Sequence, residues 1–169
     1  ARRQAEEAAV KALQLDGSLA EAHAALGYAY HYTWNWAATE QALKRAIELN
    51  PNFSEAHSMY SRHLLAEGRT EEAIAEANRA QELDPHSLYM STIRGFVLTN
   101  LRRYDEAIEQ LRRVIALDPN NYMPNWFLGI AYANNRRFDE AIAKSEKAVV
   151  LSSRAPGALG VLGMCYGLA

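Results

Sequence analysis

Histidine and cysteine are the side chains of this 169-residue sequence best suited to ligate a metal or to attack a substrate; it has five histidines and one cysteine. His23 and His57 each end a Glu-Ala-His triplet, Glu21 to His23 and Glu55 to His57. A zinc site needs three or four donors converging at roughly 2.0–2.3 Å, and a helical site commonly pairs ligands four residues apart, as in H-E-x-x-H. That motif is absent. His31 and His63 are read here as having no ligand-type partner at i+4, so the sequence predicts no metal and no cofactor. Cys165, between Met164 and Tyr166, has no cationic neighbour in sequence to activate it as a nucleophile. It is expected to be a structural thiol. Neither a Gly-rich phosphate loop nor a serine-nucleophile motif occurs, so no catalytic residue and no enzymatic activity are expected.

The two triplets are echoes of a longer period. Leu49-Asn50-Pro51, Leu83-Asp84-Pro85 and Leu117-Asp118-Pro119 repeat at a fixed step of 34 residues, and the same frame reaches back to Gly17 and forward to Ser153. A strict period of this length belongs to a stacked array whose units pack mainly on their neighbours.

Within the frame the apolar spacing is helical. Helices are predicted over 1–15, 19–33, 36–49, 54–67, 70–83, 88–101, 104–117, 122–135, 138–151 and 156–168. Ser87 and Asn121 are suited to cap the helices they precede, and Pro156 suits a first helical turn. Two columns of the frame are small: Gly27, Ser61, Gly95, Gly129 and Gly163, and Ala5, Thr39, Ala73, Ala107 and Ala141. A third, Ala12, Ala46, Ala80, Val114 and Ala148, is nearly so. Small side chains let paired helices approach to the short end of the usual ~8–10 Å range. Leu26, Tyr60, Leu128 and Leu162, with Tyr30, Leu64, Leu98, Tyr132 and Tyr166, are expected to fill the core between them. Leu15, Leu49, Leu83, Leu117 and Leu151 are expected to close each second helix.

These residues resemble tetratricopeptide repeats, whose pattern runs W-x2-L-G-x2-Y, then A-x3-F, then P. Leu26-Gly27-x-x-Tyr30, Leu128-Gly129-x-x-Tyr132 and Leu162-Gly163-x-x-Tyr166 match its first half. Tyr104-Asp105-Glu106-Ala107 and Phe138-Asp139-Glu140-Ala141 match the start of its second helix. The Trp slot departs from the pattern, holding His23, His57, Ser91, Asn125 and Leu159, and Arg94 replaces the leucine of the third repeat. The resemblance implies an all-α, right-handed superhelical solenoid of antiparallel helix pairs. It divides the chain into a half repeat (1–19), four full repeats (20–53, 54–87, 88–121 and 122–155) and a second half repeat (156–169). The run Trp34 to Glu40, with Arg45 to Pro51 and Glu55-Ala56-His57, is also similar to repeat regions at the C-terminal side of bacterial signalling proteins. Such regions follow winged-helix transcriptional regulators, nucleotide cyclases or Ser/Thr kinases.

In this family the first helices of the pairs line the concave side, which the resemblance makes the ligand groove. The candidate groove residues are Tyr28, His31, Tyr32, Met59, Arg62, Leu65, Tyr89, Ile93, Phe96, Asn100, Met123, Trp126, Phe127, Ile130 and Asn134. Many are aromatic or large and apolar, types enriched in the cores of interfaces. The Lys/Asn clamp of chaperone-type members is not evident, so the expected partner is a protein or an extended or helical apolar peptide. A homo-oligomer is the alternative, formed head-to-tail when helix 156–168 of one copy meets helix 1–15 of the next.

The net charge of −2 gives no bulk attraction to nucleic acid. The pairs Arg102-Arg103, Arg112-Arg113 and Arg136-Arg137 interleave with acidic neighbours and are expected to form local ion pairs. No apolar run approaches the ~20 residues of a membrane span, and no signal peptide is visible. The sequence opens without Met inside a helical pattern, so it reads as a piece of a longer regulatory protein with a cytoplasmic location.

Overall fold

The computed structural model describes residues 2–169; Ala1 and the side chains of Arg2 and Ala5, the last expected in a small-residue column, lie outside the described residues. Ten α-helices and no strand occur among the described residues: α1 (Arg2–Leu15), α2 (Ala20–Tyr32), α3 (Trp36–Leu49), α4 (Ser54–Ala66), α5 (Thr70–Leu83), α6 (Leu88–Asn100), α7 (Tyr104–Leu117), α8 (Tyr122–Asn134), α9 (Phe138–Leu151) and α10 (Pro156–Leu168). This is the expected all-α solenoid of helix pairs. The chain forms two compact units, Ala1–His86 and Ser87–Ala169.

The turns explain why the helices recur in phase. The first helices α2, α4, α6 and α8 each end one residue earlier than their spacing predicts, because the chain enters a left-handed residue just beyond each of them. These residues are Trp34 (φ 61°), Gly68 (φ 77°), Arg102 (φ 60°) and Arg136 (φ 58°), one per repeat at the same frame position. The next residue then donates its N–H back across the helix end. Asn35 N reaches Tyr30 O at 3.1 Å, Arg69 N reaches Leu64 O at 2.9 Å, Arg103 N reaches Leu98 O at 3.0 Å and Arg137 N reaches Tyr132 O at 2.9 Å. This satisfies carbonyls that the helix itself leaves open. The longer turns between repeats use a side-chain acceptor. Asp16, Asn50 and Asp118 each accept from the backbone N–H two residues on, at 2.8, 3.1 and 3.2 Å. Ser87 and Asn121 cap α6 and α8 as expected, accepting from Met90 N at 3.3 Å and Met123 N at 3.1 Å.

In unit 1 the small columns are buried at Thr39, Ala46, Ala73 and Ala80, and in unit 2 at Ala107, Val114, Ala141 and Ala148. Gly27 lets α3 approach until a methyl group there would overlap Leu43; Gly95 stands in the same relation to Leu111. The core between them takes Leu26, Tyr60 and Leu64 in unit 1 and Leu98, Leu128 and Tyr132 in unit 2. Arg94, the departure in the third repeat, is half-buried and donates to Gln110 Oε1 at 3.3 Å.

Leu15, Leu49, Leu83, Leu117 and Leu151 each end their second helix as expected, but two of them face solvent. Leu15 is 84% exposed and Leu117 73% exposed. Each lies four residues after an exposed cation, Lys11 or Arg113. Positions i and i+4 share a helix face, so these leucines end on the solvent side. Tyr166 of the Tyr/Leu column is also exposed.

Candidate partner-binding faces and a buried histidine

In unit 1 the first helices α2 and α4 run side by side. Tyr28 is 42% exposed, and its ring meets that of Tyr32 edge-on at 4.8 Å. Arg62 of α4 donates to Tyr32 Oη at 3.4 Å, which ties the two helices together across the surface. Met59 and Leu65 are half-buried beside it in sequence. His31 meets Tyr32 edge-on at 5.7 Å and joins an aromatic cluster behind it. Its ring lies 5.4 Å from Trp36 and 6.3 Å from His63.

In unit 2 the first helices are α6, α8 and α10. Tyr89 is 39% exposed. Phe96, Phe127 and Trp126 form a ring series, with centroids 4.6 Å apart for Phe96 and Phe127 and 5.1 Å for Phe127 and Trp126. Tyr122 continues it at 6.5 Å from Trp126. Met123 and Ile130 are half-buried, while Asn100 and Asn134 are exposed. Asn100 donates its amide to Phe96 O at 2.9 Å, so its orientation is fixed by its own helix. The indole Nε1 of Trp126 is buried without a hydrogen-bond partner. Two of the residues named for the groove belong to the interior: Ile93 is 2% exposed and Phe127 7% exposed. Both follow the core spacing of their helices more closely than the surface spacing, and Phe127 supports Phe96 and Trp126 from beneath.

The repeated histidines serve the turns. His23 Nε2 lies 3.1 Å from Gly17 O, and His57 Nε2 lies 3.0 Å from Pro51 O, the same bond one repeat later. His57 Nδ1 also lies 2.5 Å from Glu76 Oε2 on α5. His57 is therefore held above its ordinary titration value, by the Glu76 carboxylate first, against burial. Cys165 is free and buried, 3.4 Å from Ser145 Oγ. One arginine of each basic pair, Arg103, Arg113 or Arg137, forms a local ion pair. Arg69, Arg103 and Arg137 bind Glu72, Glu106 and Glu140 three residues on, with Nε–O distances of 2.7, 2.6 and 2.8 Å. Arg113 pairs with Glu109.

His63 requires a correction. Glu67 stands at i+4 on the same helix face, and His63 Nε2 lies 3.6 Å from Glu67 Oε2. His63 and Glu67 thus form a ligand-type pair at helical spacing, against the expectation that His63 has none. Glu40 joins the pair from α3: one ligand atom from each of Glu40, His63 and Glu67 lies within 4.8 Å of the others. Only the helix pairing reveals Glu40, because 23 positions separate it from His63.

A cleft of about 520 Å³ opens elsewhere in unit 1, lined by Leu13, Leu26, Tyr30 and Ala42 with Lys44 and Glu48. None of the first-helix candidates lines it. Among the described residues no helix is long and apolar enough to cross a membrane.

Two family models match, both described as Tetratricopeptide repeat, over residues 35–94 and 97–158. No curated protein matches the chain significantly. Among solved structures the chain is similar to TTC0263, a thermophilic TPR protein in Thermus thermophilus, at 19% identity and a TM-score of 0.79, covering 99% of this chain and 98% of that one. It is similar to the APC/C hetero-tetramer Cut9-Hcn1 at 18% identity and a TM-score of 0.86, covering 99% of this chain and 33% of that one. A third likeness is to YrrB, a TPR protein with an unusual peptide-binding site, at 23% identity and a TM-score of 0.66, covering 94% and 82%. At these identities the likeness is one of fold. Helix pairing, the 34-residue frame and the family matches agree, and the chain carries tetratricopeptide repeats through residues 35–94 and 97–158.

Proposed function

We propose that this chain is a non-enzymatic interaction module that holds an apolar peptide or a partner domain against its first helices. The observation that carries this reading is the aromatic surface of unit 2, where Tyr89 is exposed and Phe96 and Trp126 flank the buried Phe127. A solvated helix face would carry polar side chains at these positions, whereas large rigid rings are the usual anchors of a binding surface. Tyr28, Tyr32, Met59, Arg62 and Leu65 offer unit 1 a second, more polar surface. Tetratricopeptide repeats are generally scaffolds for protein interactions, and YrrB, of the same fold, has a peptide-binding site. The module serves a larger bacterial regulatory protein in the cytoplasm, in keeping with the resemblance of its first repeat to such regions. Selection from a random peptide display library tests this reading: it should yield apolar binders whose affinity drops at least about tenfold in Trp126→Ala while the helical circular dichroism is kept. Failure to select any binder would contradict it.

A second reading, head-to-tail self-association, is favoured by α10. Leu159, Met164, Tyr166 and Leu168 are exposed there, and Gly160, Gly163 and Gly167 face open space. The contact would place α10 of one copy against α1 of another. Light scattering across a concentration series separates the readings, since a monomer at every concentration rules out self-association.

A further inference from the structure

His63 occupies a core position that the other repeats fill without a charged or titratable imidazole. Its frame equivalents are Ala29, Val97, Ala131 and Cys165, all buried. His63 is itself fully buried, yet neither ring nitrogen has a hydrogen-bond partner. Buried polar groups are almost always bonded, and a persistent exception calls for a cause such as an absent water or ion.

The surroundings of Nε2 suggest that cause. The 3.6 Å to Glu67 Oε2 is too long for a hydrogen bond. It is close to the separation of two donors sharing one tetrahedral ion, roughly 3.4 Å for bonds near ~2.1 Å. Glu40 supplies a third donor within 4.8 Å. Arg69 Nη1 bridges the two carboxylates, so an ion at this site takes the place of its contact with Glu67. Lys44 Nζ, Arg69 Nη1 and Tyr60 Oη all converge on one oxygen of Glu40, Oε1, at 2.8, 2.7 and 3.0 Å. Arg69 also reaches Glu67 Oε2 at 3.2 Å, but Glu72 holds its Nε and Nη2 at 2.7 and 2.6 Å, so the guanidinium keeps a carboxylate if that contact opens. Glu40, Glu67 and Glu72 against Lys44 and Arg69 leave one negative charge in excess.

We propose that Glu40, His63 and Glu67 bind a divalent transition-metal ion of the zinc class, with water completing the coordination. An imidazole nitrogen beside two carboxylates suits zinc, cobalt or nickel, whereas magnesium and calcium take oxygen ligands. The ion would link α3 to α4, and so the second helix of one pair to the first helix of the next. Binding to the folded chain alone would raise the unfolding temperature with ion concentration.

The test uses the whole chain after chelator treatment. Zinc chloride is titrated calorimetrically with magnesium chloride in parallel, and the thermal midpoint is followed. One equivalent of zinc should bind, raise the midpoint and leave magnesium without effect. Cobalt(II) in place of zinc should give visible d–d absorption. His63→Val, which fits the column, and Glu67→Gln, at the exposed end of α4, should each weaken zinc binding at least about tenfold with the circular dichroism unchanged. Absence of zinc binding overturns the proposal, as does zinc binding that survives Glu67→Gln and His63→Val. If His63→Val does not fold, Glu67→Gln alone decides.

Discussion

Gly95 and Leu111 are matched in size: a methyl group on Gly95 would lie 2.7 Å from Leu111 Cδ2 and Cγ. The same frame position carries Ser61 in the second full repeat, in register with the small Ala77 on its second helix, so bulk gained on one helix is given up on the other. Gly163 belongs to this column but has nothing within 4 Å. Gly95→Ala should therefore destabilise by about 1–3 kcal/mol through overpacking. Gly163→Ala should stabilise by up to ~1 kcal/mol through helix propensity. Urea unfolding of the two variants checks the opposite signs; equal effects would mean that the column does not set the helix approach.

Of the four left-handed residues that follow α2, α4, α6 and α8, three are not glycine. Trp34, Arg102 and Arg136 adopt φ near 60°, a conformation that costs an L-residue roughly 1–2 kcal/mol. Arg136 is exposed, so Arg136→Gly should relieve that strain and raise stability by about 0.5–1 kcal/mol after the entropy lost by glycine. Gly68→Ala should cost about 1 kcal/mol with no steric clash, since its surroundings are open. Chemical denaturation midpoints read both effects.

His57 is bonded on both nitrogens to acceptors, a carbonyl and a carboxylate, so both bonds form only when the ring carries two protons. Its raised folded-state value means that the stability it contributes is complete below 6.5, the ordinary value, and is lost as pH climbs through the folded value. His31 and His63 act in the opposite sense. Burial is the first cause lowering each, so stability falls as pH drops below 6.5 through their folded values. His57→Gln should remove the loss on the alkaline side, and His63→Val should reduce the loss on the acid side. Denaturation midpoints across pH, in chelator, measure both; a His57→Gln profile that still falls above pH 6.5 like the wild type would contradict the assignment.

Much of the fold was legible in the sequence, because proline turns and small-residue columns repeat in a fixed frame. The helix starts at Trp36, Ser54, Thr70 and Tyr104 agree with their spacing. The left-handed turns were less visible, since glycine marks only one of them and arginine or tryptophan stands at the others. Surface and interior were harder to separate on the first helices. These helices are covered on several sides, so Ile93 and Phe127 look like groove residues by type and like core by burial. The Glu40 side of the histidine cluster depends on how α3 packs beside α4, which no local spacing encodes. His63 and Glu67 did have the spacing, but as a histidine and a carboxylate at i and i+4 they fall outside the H-E-x-x-H pattern.

Photo-crosslinking tests the central claim most directly. A benzophenone amino acid is placed at Met123, on the first-helix face of unit 2, or at Val150, exposed on the second helix α9, and a selected apolar peptide is added. Adducts should form from Met123 and fall away in the Trp126→Ala background, with Val150 giving none. Adducts from Val150 with none from Met123 would contradict the account and move the binding surface to the second helices.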